Sequence, residues 1–424
     1  MTREIQSARN GVGPSRRTLL VGAGGLAAAH LAGSEMGMPY IGNAAAAQPI
    51  RIGMIWAKTG PVVDQSEYLS QGCYIALEDH RNQLLGRPVE VVWLDEPNPQ
   101  SAQVNAQRLV DEYKVSALIG GNLSSNALAI ADVAKRSKIP YVAANGAATD
   151  LTGKACNRYT FRTQPPVDPQ SRALAPHLLG YGKKWYFITS AVAFGQDIKK
   201  SFGDFLAKSG GTVVGADDVT SGTSDFSSFI LKIRQAKPDV LVGGLAGADL
   251  TTFLKQWVEL GMKDKIPFAE IAIGDTDIWG LGAAAATGIF TKMWYYNNPN
   301  NTEADKAFTA TYTKKFSRPP ADKAWMGWIG MRCLLESIEA AKSTEPAAVV
   351  AALEKWSFQD GDLSVGFRDW DHQLLRRILV VKTKSEITDK WDYFDVAASL
   401  PVSPADIGQT FGSREESACK MDGL

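Results

Sequence analysis

Ile50-Arg51-Ile52-Gly53-Met54-Ile55-Trp56 reads as a strand, and Ala57-Lys58-Thr59-Gly60-Pro61 reads as the loop that ends it. A helical pattern follows over residues 68–85 and stops before Gly86. Val89-Glu90-Val91-Val92-Trp93-Leu94 is the next strand. In the helix predicted over 100–113, Ala106, Leu109, Val110 and Tyr113 share one face. Strands at 117–120 and 141–144 enclose a helix at 125–135. Strands alternating with helices of this length imply βαβ units and a parallel sheet.

The rhythm restarts after Pro165-Pro166. Strands are predicted at 185–189, 212–219 and 239–243, and helices at 195–208, 226–236 and 249–260. This second α/β unit occupies roughly 167–296. Residues 297–370 read as mainly helical, with Trp325, Trp328 and Ile329 as an apolar stripe, and 376–381 as a late strand. The fold class is therefore α/β: two lobes with parallel central sheets, joined by several crossings. Polar or Pro-rich joints at 163–169, 297–301 and 369–373 are the candidate hinges.

In such sheets ligands bind beyond the carboxyl ends of the strands, at helix N-termini. Three first-lobe loops have that position. The loop Gly120-Gly121-Asn122-Leu123-Ser124-Ser125-Asn126 is the most informative. Its glycines admit close backbone approach, and Ser124 or Ser125 would cap a helix whose free N–H groups favour a carboxylate. Capping without a ligand accounts for the same residues. The loop Ala144-Asn145-Gly146-Ala147 offers amides and a small concave surface, and Ala57 to Pro61 is the third. Ala193-Phe194-Gly195 and Gly243-Gly244-Leu245 hold the equivalent places in the second lobe.

Ser15-Arg16-Arg17-Thr18-Leu19-Leu20 opens a short apolar, Gly-rich run that ends at Ala44-Ala45-Ala46-Ala47. A charged start, an apolar centre and an Ala-x-Ala site are the parts of a cleavable export signal, and the arginine pair points to the twin-arginine route. The apolar run is too short for a bilayer core of about 30 Å, which needs about 20 apolar residues. Cleavage is expected near Ala47/Gln48, with the mature protein in the periplasm.

The whole chain has 45 basic and 45 acidic side chains. Arg3, Arg9, Arg16 and Arg17 leave with the signal, against Glu4 and Glu35, so the remainder is slightly acidic. No clustered basic face argues for a nucleic-acid partner. Cys73, Cys156, Cys333 and Cys419 fit no zinc spacing. Cys156 and Cys419 lie in polar, turn-like sequence and are expected to pair, while Cys73 and Cys333 sit in helical patterns as buried thiols. No nucleophile elbow or phosphate loop is present, so no enzyme, metal or cofactor is expected. Asp275 and Asp277 could form a carboxylate pair, or simply a solvated turn.

The chain resembles the extracytoplasmic solute-binding proteins of ABC importers, in the Leu/Ile/Val-binding branch. The resemblance rests on Ile50-Arg51-Ile52-Gly53 with Thr59-Gly60-Pro61, Gly72, Gly86-Arg87-Pro88-Val89-Glu90 with Asp95, Ala147-Ala148-Thr149-Asp150-Leu151-Thr152-Gly153, Ala193-Phe194-Gly195, Ser224-Asp225-Phe226-Ser227 and Asp371-His372-Gln373. It implies two Rossmann-like lobes joined by three hinge crossings, closing on a ligand that is delivered to a membrane permease. It places lobe 1 at 48–166 plus 297–370, lobe 2 at 167–296 plus 371–400, and a tail at 401–424.

The resemblance puts Ser124 on the ligand carboxylate, Asn145 and Ala147 at the next contacts, and Gln65 at an aromatic wall position. Phe194 and Leu245 stand where the amino-acid binders carry Tyr, and Ala147 where they carry Thr. Their acidic partner for the ligand ammonium aligns loosely with 273–277, where Asp275 and Asp277 are the candidates, Asp275 the one chosen; if neither reaches the cleft, an acid without an ammonium is favoured. With Trp56 and Phe194 available, the ligand expected is a small carboxylate: a hydrophobic amino acid, or an aromatic or aliphatic acid. The protein is expected to be a monomer. A ligand-sensing receptor of the same fold, with no transport role, is the alternative.

Overall fold

A computed structural model describes residues 48–421. The export signal expected over 1–47, with its cleavage point, lies outside them. The first lobe runs β1 (Ile50–Ile55), α1 (Val63–Asp79), β2 (Gln83–Leu84), β3 (Arg87–Leu94), α2 (Pro99–Asp111), β4 (Ala117–Gly120), α3 (Ser124–Ser137), β5 (Tyr141–Ala143) and β6 (Thr160–Arg162). The second runs α4 (Val167–Leu178), β7 (Lys184–Ser190), α5 (Ala193–Lys208), β8 (Thr212–Val219), α6 (Ser227–Ala236), β9 (Val240–Gly244), α7 (Ala248–Glu259), β10 (Phe268–Glu270), α8 (Asp275–Trp279) and β11 (Ile289–Lys292). The chain returns to the first lobe through α9 (Glu303–Phe316), α10 (Asp322–Ala341), α11 (Pro346–Leu353), β12 (Ser357–Asp360), β13 (Leu363–Phe367) and β14 (Leu374–Leu375). It crosses again to β15 (Ile378–Thr383) and β16 (Phe394–Leu400), and ends in α12 (Ile407–Phe411).

The first sheet is ordered β2-β3-β1-β4-β5-β6 and the second β16-β15-β11-β10-β9-β7-β8. Both are parallel at the centre, with β2, β15 and β16 antiparallel at the edges. In each lobe the first strand lies between two that follow it in the chain: β1 between β3 and β4, and β7 between β8 and β9. That is the strand-order switch where loops splay apart and leave a crevice. The two crevices face each other.

Helices α1 and α10 pack backbone to backbone. A Cβ on Gly72 would sit 1.8 Å from the Ala324 carbonyl oxygen, and one on Gly327 1.9 Å from that of Leu69. This crossing brings the start of α10 to the cleft.

Several sequence readings are corrected. The first helix spans Val63–Asp79, not 68–85, because Arg81 and Asn82 take left-handed backbone angles and turn the chain into β2. Leu84 is buried from that strand rather than from a helix. The segment 297–370 is helical only to Leu353; β12 and β13 within it form a small antiparallel sheet with β14. Leu363, Val365 and Phe367 alternate inward there, and Gly361 turns left-handed between β12 and β13. The tail after 400 packs on the second lobe, where Phe411 is buried in the same core cluster as Leu174 and Leu178. Cys156 and Cys419 are bonded, with Cα atoms 5.6 Å apart, and Cys73 and Cys333 are buried free thiols.

Candidate functional site

Between the lobes lies a cavity of about 340 Å³. Its first-lobe wall comes from the loops after β1, β4 and β5, its second-lobe wall from those after β7, β8, β9 and β10. Gln65, Ser124, Ser125, Asn145 and Ala147 line it from one side, Phe194 and Leu245 from the other.

The first-lobe wall is a connected hydrogen-bond network, backed by Glu96, whose Oε2 has no partner. Ser124, the first residue of α3, accepts the backbone N–H groups of Ala147 (3.1 Å) and Ala148 (3.0 Å) on its hydroxyl oxygen. With both lone pairs used, the hydroxyl is left to donate. It does so at the positive end of a helix dipole, which favours an anion. Asn122 gives its backbone N–H to Glu96 at 2.7 Å and its side-chain amide to Val62 O and Ser66 Oγ. Asn145 donates to Asn122 O (3.0 Å) and Oδ1 (2.6 Å), and its own Oδ1 accepts from Lys323 Nζ at 3.1 Å. Burial pushes the Glu96 carboxyl well above its usual range, against the Asn122 bond that favours the charge.

The second-lobe wall is mostly apolar, with Phe194, Val219, Leu245 and Ile273 around buried carboxyls. Glu270, at the end of β10, is 1% exposed, and its Oε2 has no partner in the protein. Burial pushes it well above the usual carboxylate range, with the Asp277 charge adding to the shift and the Leu245 backbone N–H opposing it. Asp277 is also raised by burial, while Lys323 and the Gln65 amide favour its charge.

Three expected site residues lie elsewhere. Asp275 is fully buried: it binds Lys292 Nζ at 2.9 Å and exchanges backbone bonds with Asp322, each N–H reaching the other's carboxylate (2.9 and 2.7 Å). Lys292 on β11 holds it out of the cavity as part of the junction between α8 and α10. Trp56 is buried in the core beside Ile52 and Met54. Gly146 packs on α3, where a Cβ would meet that of Ala127 at 2.6 Å. Cavity residues that the sequence did not single out include Glu270, Lys323 and Asp249, while Asn122 lies in a loop that it did.

The lobes also touch beside the cavity. Ala248 N–H reaches Pro61 O at 3.3 Å, and Thr149 N–H reaches Asp197 Oδ2 at 2.8 Å. Among the described residues, no cluster of three His, Cys, Asp or Glu side chains could hold a metal, and no helix is long and apolar enough to cross a membrane.

Residues 49–388 match the family described as periplasmic binding protein. Leu/Ile/Val-binding protein homolog 8 of Brucella suis biovar 1 (strain 1330) is 25% identical over 362 residues, covering 80% of this chain and 88% of that protein. A periplasmic binding protein from Burkholderia mallei shares the fold at a TM-score of 0.80 and 26% identity, over 88% of this chain and 98% of its own. A solute-binding protein of an ABC transporter from Rhodopseudomonas palustris BisB5, in complex with 3,4-dihydroxybenzoic acid, has the same fold at a TM-score of 0.76 and 21% identity, over 83% of this chain and 97% of its own. The match across most of the chain, together with the paired parallel-sheet lobes, shows that this chain belongs to the periplasmic binding protein family, with the type I fold.

Proposed function

We propose that this protein is the solute-capturing component of an ABC importer, which closes its lobes on a small carboxylate-bearing solute and delivers it to a permease. The observation that carries the reading is Ser124. Its hydroxyl is committed to donate, it stands at the N-terminus of α3, and it faces a cavity built from both lobes. A carboxylate there would take that O–H and the free first-turn N–H groups of α3.

Glu270 bears on the rest of the ligand. A buried carboxyl with an unpartnered oxygen is costly alone and is relieved by a cation. An amino acid brings both charges: carboxylate to Ser124, ammonium to Glu270. That favours an amino acid over an aromatic acid, and assigns to Glu270 the role expected of Asp275. Ala147 offers no hydroxyl, so the backbone and Ser124 carry the anion contacts.

The test is calorimetric titration of the purified protein with amino acids and benzoates. Binding of at least one carboxylate, lost in Ser124→Ala, is the expected result; no binding by any carboxylate would overturn the reading. Uptake of the bound solute by cells, before and after deletion of the gene for this protein, separates import from sensing.

A further inference from the structure

Gln65 on α1, Asp277 on α8 and Lys323 on α10 bring three further polar side chains to the cavity. They are 6%, 6% and 3% exposed. Gln65 Nε2 donates to both Asp277 oxygens, at 3.3 and 3.4 Å, and Gly274 N–H donates to Asp277 Oδ2 at 3.1 Å. Lys323 Nζ donates to Asn145 Oδ1 at 3.1 Å, lies 3.6 Å from Asp322 Oδ2, and has as its third contact only the weakly accepting Met326 Sδ at 3.9 Å, which a ligand oxygen would outcompete. An ammonium has three N–H donors, and Gln65 keeps its amide oxygen as an acceptor once the amide nitrogen is spent on Asp277.

A hydrocarbon side group closed over these residues would strip their water and return nothing. Leaving buried polar groups unpaired is what lets a hydrogen-bonding site reject an apolar analogue of the same shape. A group that both donates and accepts satisfies all three: its oxygen takes an N–H from Lys323, and its own hydrogen goes to Asp277 or to the Gln65 oxygen. We propose that Gln65, Asp277 and Lys323 select a ligand whose side group carries a hydrogen-bonding head, a carboxamide or a hydroxyl, over the hydrocarbon of matching shape. This rests on the reading that Ser124 holds the ligand's carboxylate, and it narrows that reading away from leucine, isoleucine and valine.

The experiment uses shape-matched pairs titrated calorimetrically into the purified protein: L-asparagine against L-leucine, L-threonine against L-valine, and 4-hydroxybenzoate against 4-methylbenzoate. In at least one pair the polar member binds tenfold or more tightly than its apolar partner. That ratio shrinks in Lys323→Met and, independently, in Gln65→Leu, which removes the acceptor while keeping Lys323. Equal or tighter binding of the apolar member in every pair that binds overturns the proposal and leaves the carboxylate reading standing. A ratio unmoved in both variants also overturns it. No binding by any of the six compounds overturns the carboxylate reading, and the proposal with it.

Discussion

The two walls of the cleft are built on opposite plans. On the first-lobe wall Glu96, Asn122, Asn145 and Lys323 are already bonded to one another, and Ser124 is fixed by two backbone N–H groups. The second-lobe wall is apolar around Glu270, whose unpartnered oxygen belongs to a cavity-lining residue, whereas Glu96, which also has one, lies behind the first wall and outside the cavity lining. A wall whose bonds are made before the ligand arrives loses little entropy on binding. A wall with an unmet group gains most when the ligand meets it. The first lobe is thus suited to receive the solute, and the second to make closure depend on it.

Substitutions on the two walls should separate these roles. Ser124→Ala removes the donated bond to a carboxylate and strands the Ala147 and Ala148 N–H groups. An affinity loss of about 100-fold, or about 2.7 kcal/mol, is expected for every carboxylate ligand by calorimetry. Glu270→Gln should cost about 10-fold for a ligand with an ammonium group and little for one without. A pH series checks the same assignment. Burial raises the Glu270 carboxyl in the empty protein, and an ammonium would lower it again on binding, so a proton is released. Affinity for an amino acid should then rise with pH until Glu270 is ionised in the empty protein, and Glu270→Gln should flatten that rise. Phe194→Ala removes part of the second wall without charge, and a loss of about 5-fold with no pH dependence is expected.

The smallest effect belongs to the junction between the lobes. His372 is stacked on Phe161 at 4.0 Å, and burial pushes its pKa down from 6.5 to about 4. The unfolded chain therefore takes up the proton first as pH falls. The stability held by neutral His372 is complete above about pH 6.5 and is lost towards pH 4. Melting temperature should fall by a few degrees over that window, and less in His372→Gln.

The long elements were legible because their periodicity repeats often enough to read. Strands β6, β10 and β11 were not: each is three or four residues long and ends in a buried charged residue (Arg162, Glu270, Lys292), so none shows the apolar run that marks the equally short β4 and β5. The cleft loops after β4 and β5 announced themselves through Gly, Asn and Ser. Glu270 and Lys323 had no local signal: one ends a three-residue strand and the other starts a long apolar helix, and only the lobe-to-lobe geometry brings them together. Asp275 and Asp277 stand two residues apart on α8, and Lys292 on β11 decides which of them faces the junction. Trp56 was readable after all. Period two from Ile50 puts it on the face of Ile52 and Met54, inside the core rather than in the cleft.

The bond between Cys156 and Cys419 has a topological consequence. It closes residues 156–419 into a covalent ring that contains the entire second lobe and all three passages between the lobes. A single protease cut anywhere in that ring, at a surface loop such as 220–225 for example, would leave the two fragments joined. They would separate on a denaturing gel only after reduction, so a nicked molecule could keep both halves of its cleft.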